Sequence, residues 1–240
     1  MAKLLCFGSG SKGNGYALQC KNETLLIELG VSWNDIMKGL NYDLSNVCGA
    51  IVSHLHTDHA NYLTMQRTLK SGIMVLSNES VCSVYKCVEL LKLKTKQRLG
   101  GFSIQAIPLY HNAQCYGYVI ENEEFGKLVF CTDTYQIPYR FKGVNHFIVE
   151  ANHSIDKMID NMCINEQYAS AYDNHMNIDD TIEFLKINND EKLNTVVLIH
   201  LSDGNSDEKE FIKRTKKELC LDNVFVADKG LSIELCKEEF

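Results

Sequence analysis

The sequence predicts an α/β fold in which apolar strands open into a polar site, and three observations carry that expectation. A strand–turn–strand meander occupies residues 3–29. Beyond it, short apolar runs alternate with amphipathic helices, the pattern of a layered α/β protein. Finally, the apolar run 49–52 feeds directly into Ser53-His54-Leu55-His56-Thr57-Asp58-His59, where three histidines and an aspartate fall within six positions. Imidazoles and a carboxylate packed this closely need a shared cation to offset their desolvation. Neutral histidine nitrogens and a carboxylate oxygen are ligands that zinc, manganese or iron accept.

Composition sets the bounds. A chain of 240 residues can bury a substantial core, and a single domain, 1–240, is expected. Hydrophobic residues make up 45% and charged residues 23%, which is ordinary for a soluble globular protein. Lys+Arg 24 against Asp+Glu 31 leaves a formal charge of -7, which argues against tight, non-specific binding of long nucleic acid. A small anionic substrate drawn in by metal ions is compatible with that charge. No apolar stretch approaches the roughly 18 residues that span a bilayer, so no membrane partner is expected. The ten cysteines include no C-x-x-C pair. Cys6, Cys20, Cys131 and Cys163 sit among apolar or mixed neighbours, as small hydrophobes do in a reducing compartment. A cytoplasmic location follows as an expectation.

Taken in order, Gly8-Ser9-Gly10-Ser11-Lys12-Gly13 spells G-x-G-x-x-G after a strand at 3–7. A dinucleotide fingerprint would need a helix next, yet 14–20 and 24–29 read as two further strands. Asn14 also stands where a Walker A lysine would be. Trp33, Ile36, Met37 and Leu40 make a helical stripe over 32–40. Helices are expected again over 61–70 and 80–91, the latter on Val81, Val84, Tyr85, Val88 and Leu91, with a strand at 73–76 between them. Lys86, Lys92, Lys94, Lys96 and Arg98 form the most basic stretch, read as a solvated face. Strands follow at 102–107, 116–120, 127–131 and 147–150. Asn177 is a natural N-cap for a helix over 178–187, with Asp179 and Asp180 in its first turn. A β-branched strand at 195–199, a helix at 206–219 and a closing hairpin of 223–227 with 231–235 complete the pattern.

The run from His54 to His59 resembles the H-x-H-x-D-H signature of the metallo-β-lactamase superfamily. Gly8 to Asn14 followed by two strands resembles the start of that fold in its YycJ-like hydrolases, and Glu150-Ala151-Asn152-His153 is similar to their Glu-x-Asn-His segment. The resemblance implies an αββα sandwich, two mixed sheets flanked by helices. It also implies three further ligands, each after an apparent strand: His111, Asp133 in Thr132-Asp133-Thr134, and His200. Residue by residue, His54, His56 and His111 would hold one metal, and Asp58, His59 and His200 the other, with Asp133 shared. Two divalent ions are the implied cofactors, zinc first and manganese second. His175 matches a phosphate-contacting histidine of ribonuclease Z and its relatives. The YycJ-like pattern ends its third strand in an aspartate followed shortly by glycine; here Glu28 takes that place, before Leu29-Gly30.

Paired metals make water nucleophilic at neutral pH and neutralise charge on a phosphate. In that scheme Asp58 orients the attacking water and His175 donates to the phosphate or the leaving oxygen, so these two are the catalytic candidates. The compact, acidic chain also resembles phage anti-Pycsar phosphodiesterases, which open 3′,5′-cyclic nucleotides and form homodimers. A cyclic nucleotide is the substrate this implies, and a second copy of the chain the partner. A YycJ-like nuclease acting on DNA or RNA is the alternative. A thioesterase- or lactamase-type hydrolase, or an inactive metal-binding protein, ranks below both. Tyr110, Tyr116 and His153 are the candidate substrate contacts, the tyrosines because a ring near His111 would stack on a base.

Overall fold

The computed structural model describes residues 1–162 and 174–237. In chain order its strands are β1 (Ala2–Gly8), β2 (Gly15–Gln19), β3 (Thr24–Ile27), β4 (Val47–Ile51), β5 (Val75–Ser77), β6 (Glu89–Leu90) and β7 (Lys96–Leu99). They continue as β8 (Phe102–Leu109), β9 (Cys115–Asn122), β10 (Gly126–Cys131), β11 (His146–Glu150), β12 (Thr195–Ile199), β13 (Val224–Val226) and β14 (Ser232–Leu235). The helices are α1 (Trp33–Gly39), α2 (Tyr62–Lys70), α3 (Glu79–Val84), α4 (Ile155–Met162), α5 (Ile178–Ile187) and α6 (Glu208–Leu219).

Two seven-stranded sheets repeat one plan. In the first, β14, β1, β2 and β3 pair antiparallel, and β3 to β6 pair parallel. In the second, β7 to β10 pair antiparallel, and β10 to β13 pair parallel. The period of two along each strand sorts side chains between layers. Leu25 and Ile27 enter the core between the sheets, whereas Leu26 joins the outer layer with Ile36 of α1, Met65 of α2 and Val81 of α3. Ile148 likewise points inward, while Phe147 and Val149 pack with Ile182 and Leu185 of α5 and Phe211 of α6. Strands covered on both faces need unbroken apolar runs, which is why TLLI, HFIVE and TVVLI lack polar alternation. The αββα sandwich is therefore the observed architecture.

Two expected elements differ. The helix over 80–91 stops at Val84, which is 53% exposed, and Tyr85 turns extended at φ -112, ψ 93. Glu89 and Leu90 instead pair with Leu76 and Ser77, because β5 offers an open edge and Val84, Tyr85 and Val88 favour extended backbone. The closing hairpin is also absent. β13 lies parallel to β12, while β14 lies antiparallel to β1 in the other sheet. The chain crosses between sheets at Gly230 (φ +94), pinned by Gly230 N–H donating to the Cys6 carbonyl at 2.9 Å. Local patterning marks both strands but carries no sign of which sheet each joins.

The basic stretch is solvated: Lys86, Lys92, Lys94, Lys96 and Arg98 are exposed, and Lys96 pairs with Glu121 at 2.5 Å. Cys6, Cys20 and Cys131 are buried and unpaired; Cys163 lies outside the described residues. Among the described residues no helix is long and apolar enough to cross a membrane.

Candidate metal centre

Parallel strands point their C-terminal ends the same way, and in both sheets those ends deliver polar residues to one place. β3 leads to Glu28, β4 to His54, β10 to Asp133, β11 ends in Glu150, and β12 leads to His200. Glu28, Asp133 and His200 share an unusual backbone, with φ of 63, 49 and 56. Left-handed geometry is costly for such residues and persists where the surroundings over-determine it, often at functional sites.

The histidine loop is held from below. His59 and Ala60 N–H donate to the His56 carbonyl at 2.9 and 2.8 Å, closing a tight turn. Leu29 N–H donates to the His59 carbonyl at 2.8 Å, tying the loop to the end of β3. Only glycine fits at position 30, because a Cβ there would sit 1.6 Å from the Asp58 carbonyl oxygen. Buried Asn14 donates through Nδ2 to the Gly10 and Asp58 carbonyls at 3.1 and 3.2 Å, and its Oδ1 accepts from Gly10 N–H at 2.8 Å. The glycine-rich segment thus clamps the histidine loop and leaves no helix N-terminus for a dinucleotide.

All seven sequence-predicted ligands converge. Ligand atoms of His54, His56, His111 and Asp133 lie within 4.8 Å of one another, and so do those of Asp58, His59, Asp133 and His200. Asp133 belongs to both groups: its Oδ2 is 3.7 Å from His54 Nε2 and from His111 Nε2, and its Oδ1 is 3.3 Å from His59 Nε2. Asp58 Oδ2 stands 3.4 Å from His59 Nε2 and 3.6 Å from His200 Nε2. The donor set fits two divalent cations: His54 Nε2 and His200 Nε2 are buried in it and have no hydrogen-bond partner among the described residues. A buried polar atom left in that state is costly unless something fills the position.

Electrostatics agree with that fit. Burial, reinforced by neighbouring His59, holds the His54 pKa well below its ordinary value, so the imidazole is neutral and ligand-ready. Burial also lowers His111. Burial opposes the charge on Asp58, but the neighbouring His200 and His59 outweigh it and hold its pKa below the ordinary value, so the group is ionised. His200 is pushed up to about 10, the effect of burial being outweighed by Asp133, Asp58 and Glu150; a metal ion would take the place of that proton.

Glu150, quoted above only as the start of the Glu-x-Asn-His segment, is the residue to which the motif reading gave no role. It is fully buried, and its Oε1 meets His175 Nδ1 at 2.5 Å and His200 Nδ1 at 2.9 Å. Its Oε2 accepts from Thr134 N–H at 3.0 Å. One carboxylate therefore fixes the candidate phosphate-contacting histidine, one ligand histidine and the loop carrying Asp133. The available signal was a charged residue closing an otherwise apolar strand, Phe147-Ile148-Val149-Glu150, as His200 closes Thr195–Ile199. Glu28 supports the opposite side: its Oε1 accepts from Ser53 N–H at 3.1 Å, and its Oε2 lies 3.3 Å from His59 Nδ1. The longer side chain still reaches the loop, which answers the departure from aspartate there.

The candidate substrate contacts separate. Tyr116 is 2% exposed, with its hydroxyl turned towards Glu79, and His153 is 1% exposed, so burial takes both away from the surface a substrate meets. Tyr110 is 44% exposed beside His111.

Residues 36–201 match the family described as the β-lactamase superfamily domain, and the chain belongs to that family. Among curated relatives, the exodeoxyribonuclease WalJ of Streptococcus pneumoniae is 23% identical over 175 residues, 64% of each chain. The exodeoxyribonuclease YycJ of Bacillus anthracis is 25% identical over 167 residues, 62% of each. The chain thus spans less than two thirds of these relatives' length. In fold it is similar to the metallo-β-lactamase fold protein YhfI from Bacillus subtilis, with TM-score 0.75 and 17% identity over 97% of this chain and 98% of that one. It is also similar to a diphosphatase of the PhnP family, with TM-score 0.67 and 17% identity over 99% and 100% of the two chains. At such identities the structural likeness shows the fold.

Proposed function

We propose that this protein is a dinuclear-metal phosphodiesterase that opens 3′,5′-cyclic nucleotides. The observation that carries the phosphodiester reading is the Glu150–His175 pair, hung against the ligand cluster with the His175 ring centroid 5.5 Å from His111 and 5.2 Å from His200. Two divalent ions held by the seven ligands, zinc before manganese, would supply activated water and neutralise the phosphate charge. Glu150 holds His175 through Nδ1 and leaves the other ring nitrogen to donate to a phosphate or leaving oxygen. Burial works against a proton on His175, but Glu150 outweighs it and raises the pKa, as suits a donor. Asp58, 25% exposed in its side chain, would orient the attacking water.

A small substrate is favoured by the groove beside His175. It has a volume near 500 Å³, and among the described residues Tyr135, Gln136, Ile137, Asn177, Asp180 and Glu183 line it without a Lys or Arg. Among the described residues, that lining offers a polyanion no phosphate-neutralising group. The anti-Pycsar resemblance, and with it action on a bacterial signalling nucleotide in a host cytoplasm, rests on motifs and compactness. The homodimer belongs to the same reading, with Tyr62 and Leu63, 61% and 68% exposed at the start of α2, as apolar surface for a second copy.

The curated relatives support a second reading, an exodeoxyribonuclease. Incubating metal-loaded protein with cyclic CMP, UMP, AMP and GMP beside single-stranded and duplex DNA separates the two. Linear mononucleotides with intact DNA are expected; shortened DNA with intact cyclic nucleotides would replace the first reading by the second. Elemental analysis of the purified protein should find two metal ions per chain.

A further inference from the structure

We infer that Tyr110 and Tyr135 form a stacking platform for the nucleobase of the substrate, an inference that rests on the nucleotide phosphodiesterase reading. Large aromatic side chains are normally buried, yet these two are 44% and 42% exposed and lie together, ring centroids 5.4 Å apart and tilted by 38°. Their position is tied to the metal centre by sequence and by bonding. Tyr110 immediately precedes His111, and Tyr135 follows Asp133 by two residues. Tyr135 N–H donates to the Tyr110 carbonyl at 3.2 Å, and Tyr110 N–H donates to Thr134 Oγ1 at 3.1 Å. Thr134 N–H in turn donates to Glu150, the carboxylate that holds His175 and His200.

The platform is therefore part of a cross-braced pair of loops that also carries two of the seven ligands. Tyr135 continues into the groove beside His175, whose volume near 500 Å³ exceeds that of a single base. Its lining is uncharged near Tyr135, at Gln136 and Ile137, and acidic further along, at Asp180 and Glu183. Such a surface suits the neutral, hydrogen-bonding base, while the phosphate lies at the metals. Stacking on an aromatic face is tolerant of base identity, so several bases should be accepted.

The test compares binding of AMP and CMP with binding of ribose 5-phosphate by calorimetry on metal-loaded wild type, Tyr110→Ala, Tyr135→Ala and the corresponding Phe variants. Wild type should prefer the mononucleotides, and each Ala variant should lose roughly 5- to 150-fold in mononucleotide affinity with ribose 5-phosphate unchanged. The Phe variants should keep the preference, since the ring supplies the contact. Both positions are surface positions, so thermal melts should stay at the wild-type value. Equal wild-type affinity for AMP and ribose 5-phosphate, or parallel losses for both ligands in the Ala variants, would overturn the platform. Because this readout needs no turnover, an intact base preference with no hydrolysis of cyclic nucleotide or DNA would instead count against the function proposed above.

Discussion

Strand β11 buries an ionisable side chain at each end, His146 where it begins and Glu150 where it stops, and both are 0% exposed. His146 Nε2 meets the Phe125 carbonyl at 3.0 Å, and burial pushes its pKa down to about 4, so the ring stays neutral. Glu150 is equally buried, which opposes its charge, but His175 and His200 outweigh that and keep it ionised. Strand direction explains the contrast. β10, β11 and β12 run parallel, so their C-terminal ends bring Asp133, Glu150 and His200 to one edge. Each charge there has an opposite neighbour within hydrogen-bonding or ligand distance. The N-terminal end has no such company, and a lone histidine survives only uncharged. One end of the sheet supports chemistry and the other supports the fold.

Breaking the charged end should have its largest effect at Asp133, which alone among the described residues belongs to both ligand groups. Asp133→Asn should reduce bound metal below two ions per chain and bring turnover to the no-enzyme background, read by elemental analysis and product formation. Two bound ions with full turnover would remove Asp133 from the centre. Next comes Glu150→Gln, which keeps the shape but loses the charge facing His175 and His200; a drop of about 10- to 100-fold in metal affinity or activity is expected. His175→Asn distinguishes positioning from ligation: it should lower kcat with metal content unchanged. A fall in metal content in that variant would place His175 among the ligands instead.

The same contrast explains what was legible in the sequence. His54 to His59 could be read because four ligands share one loop, and the resemblance to the metallo-β-lactamase superfamily then implied His111, Asp133 and His200 at the ends of later strands. The role of Glu150 was hidden because it depends on two histidines 25 and 50 residues further on, which no local spacing encodes. Tyr135 was hidden for the same reason, its partner Tyr110 lying on another strand's loop. The strands and helices followed from alternation and apolar runs and their layering from the family resemblance, whereas the split of β13 and β14 between sheets followed from neither, since a strand's pattern is the same whichever sheet it joins. The missing helix beyond Val84 shows an open sheet edge overriding a helical stripe.

The smallest expected effect sharpens the neutral end. His146 has a folded pKa of about 4 against an ordinary 6.5, so the unfolded chain binds the proton more readily. A group with a depressed folded pKa contributes stability above its unfolded pKa and loses it as pH falls towards the folded one. The window is therefore pH 6.5 down to about 4, and the full contribution is on the order of 3 kcal/mol. Urea midpoints for wild type and His146→Gln, taken at steps from pH 7.5 to 4.5 with chelator present, isolate this group from metal loss. Wild type should lose stability more steeply than the variant, and the two curves should converge as the pH falls. Parallel curves would mean that His146 titrates alike in both states, and the idea of a neutral, purely structural end to β11 would fail. Turnover at pH 7.5 should be the same in both proteins, because His146 lies at the opposite end of its strand from every ligand.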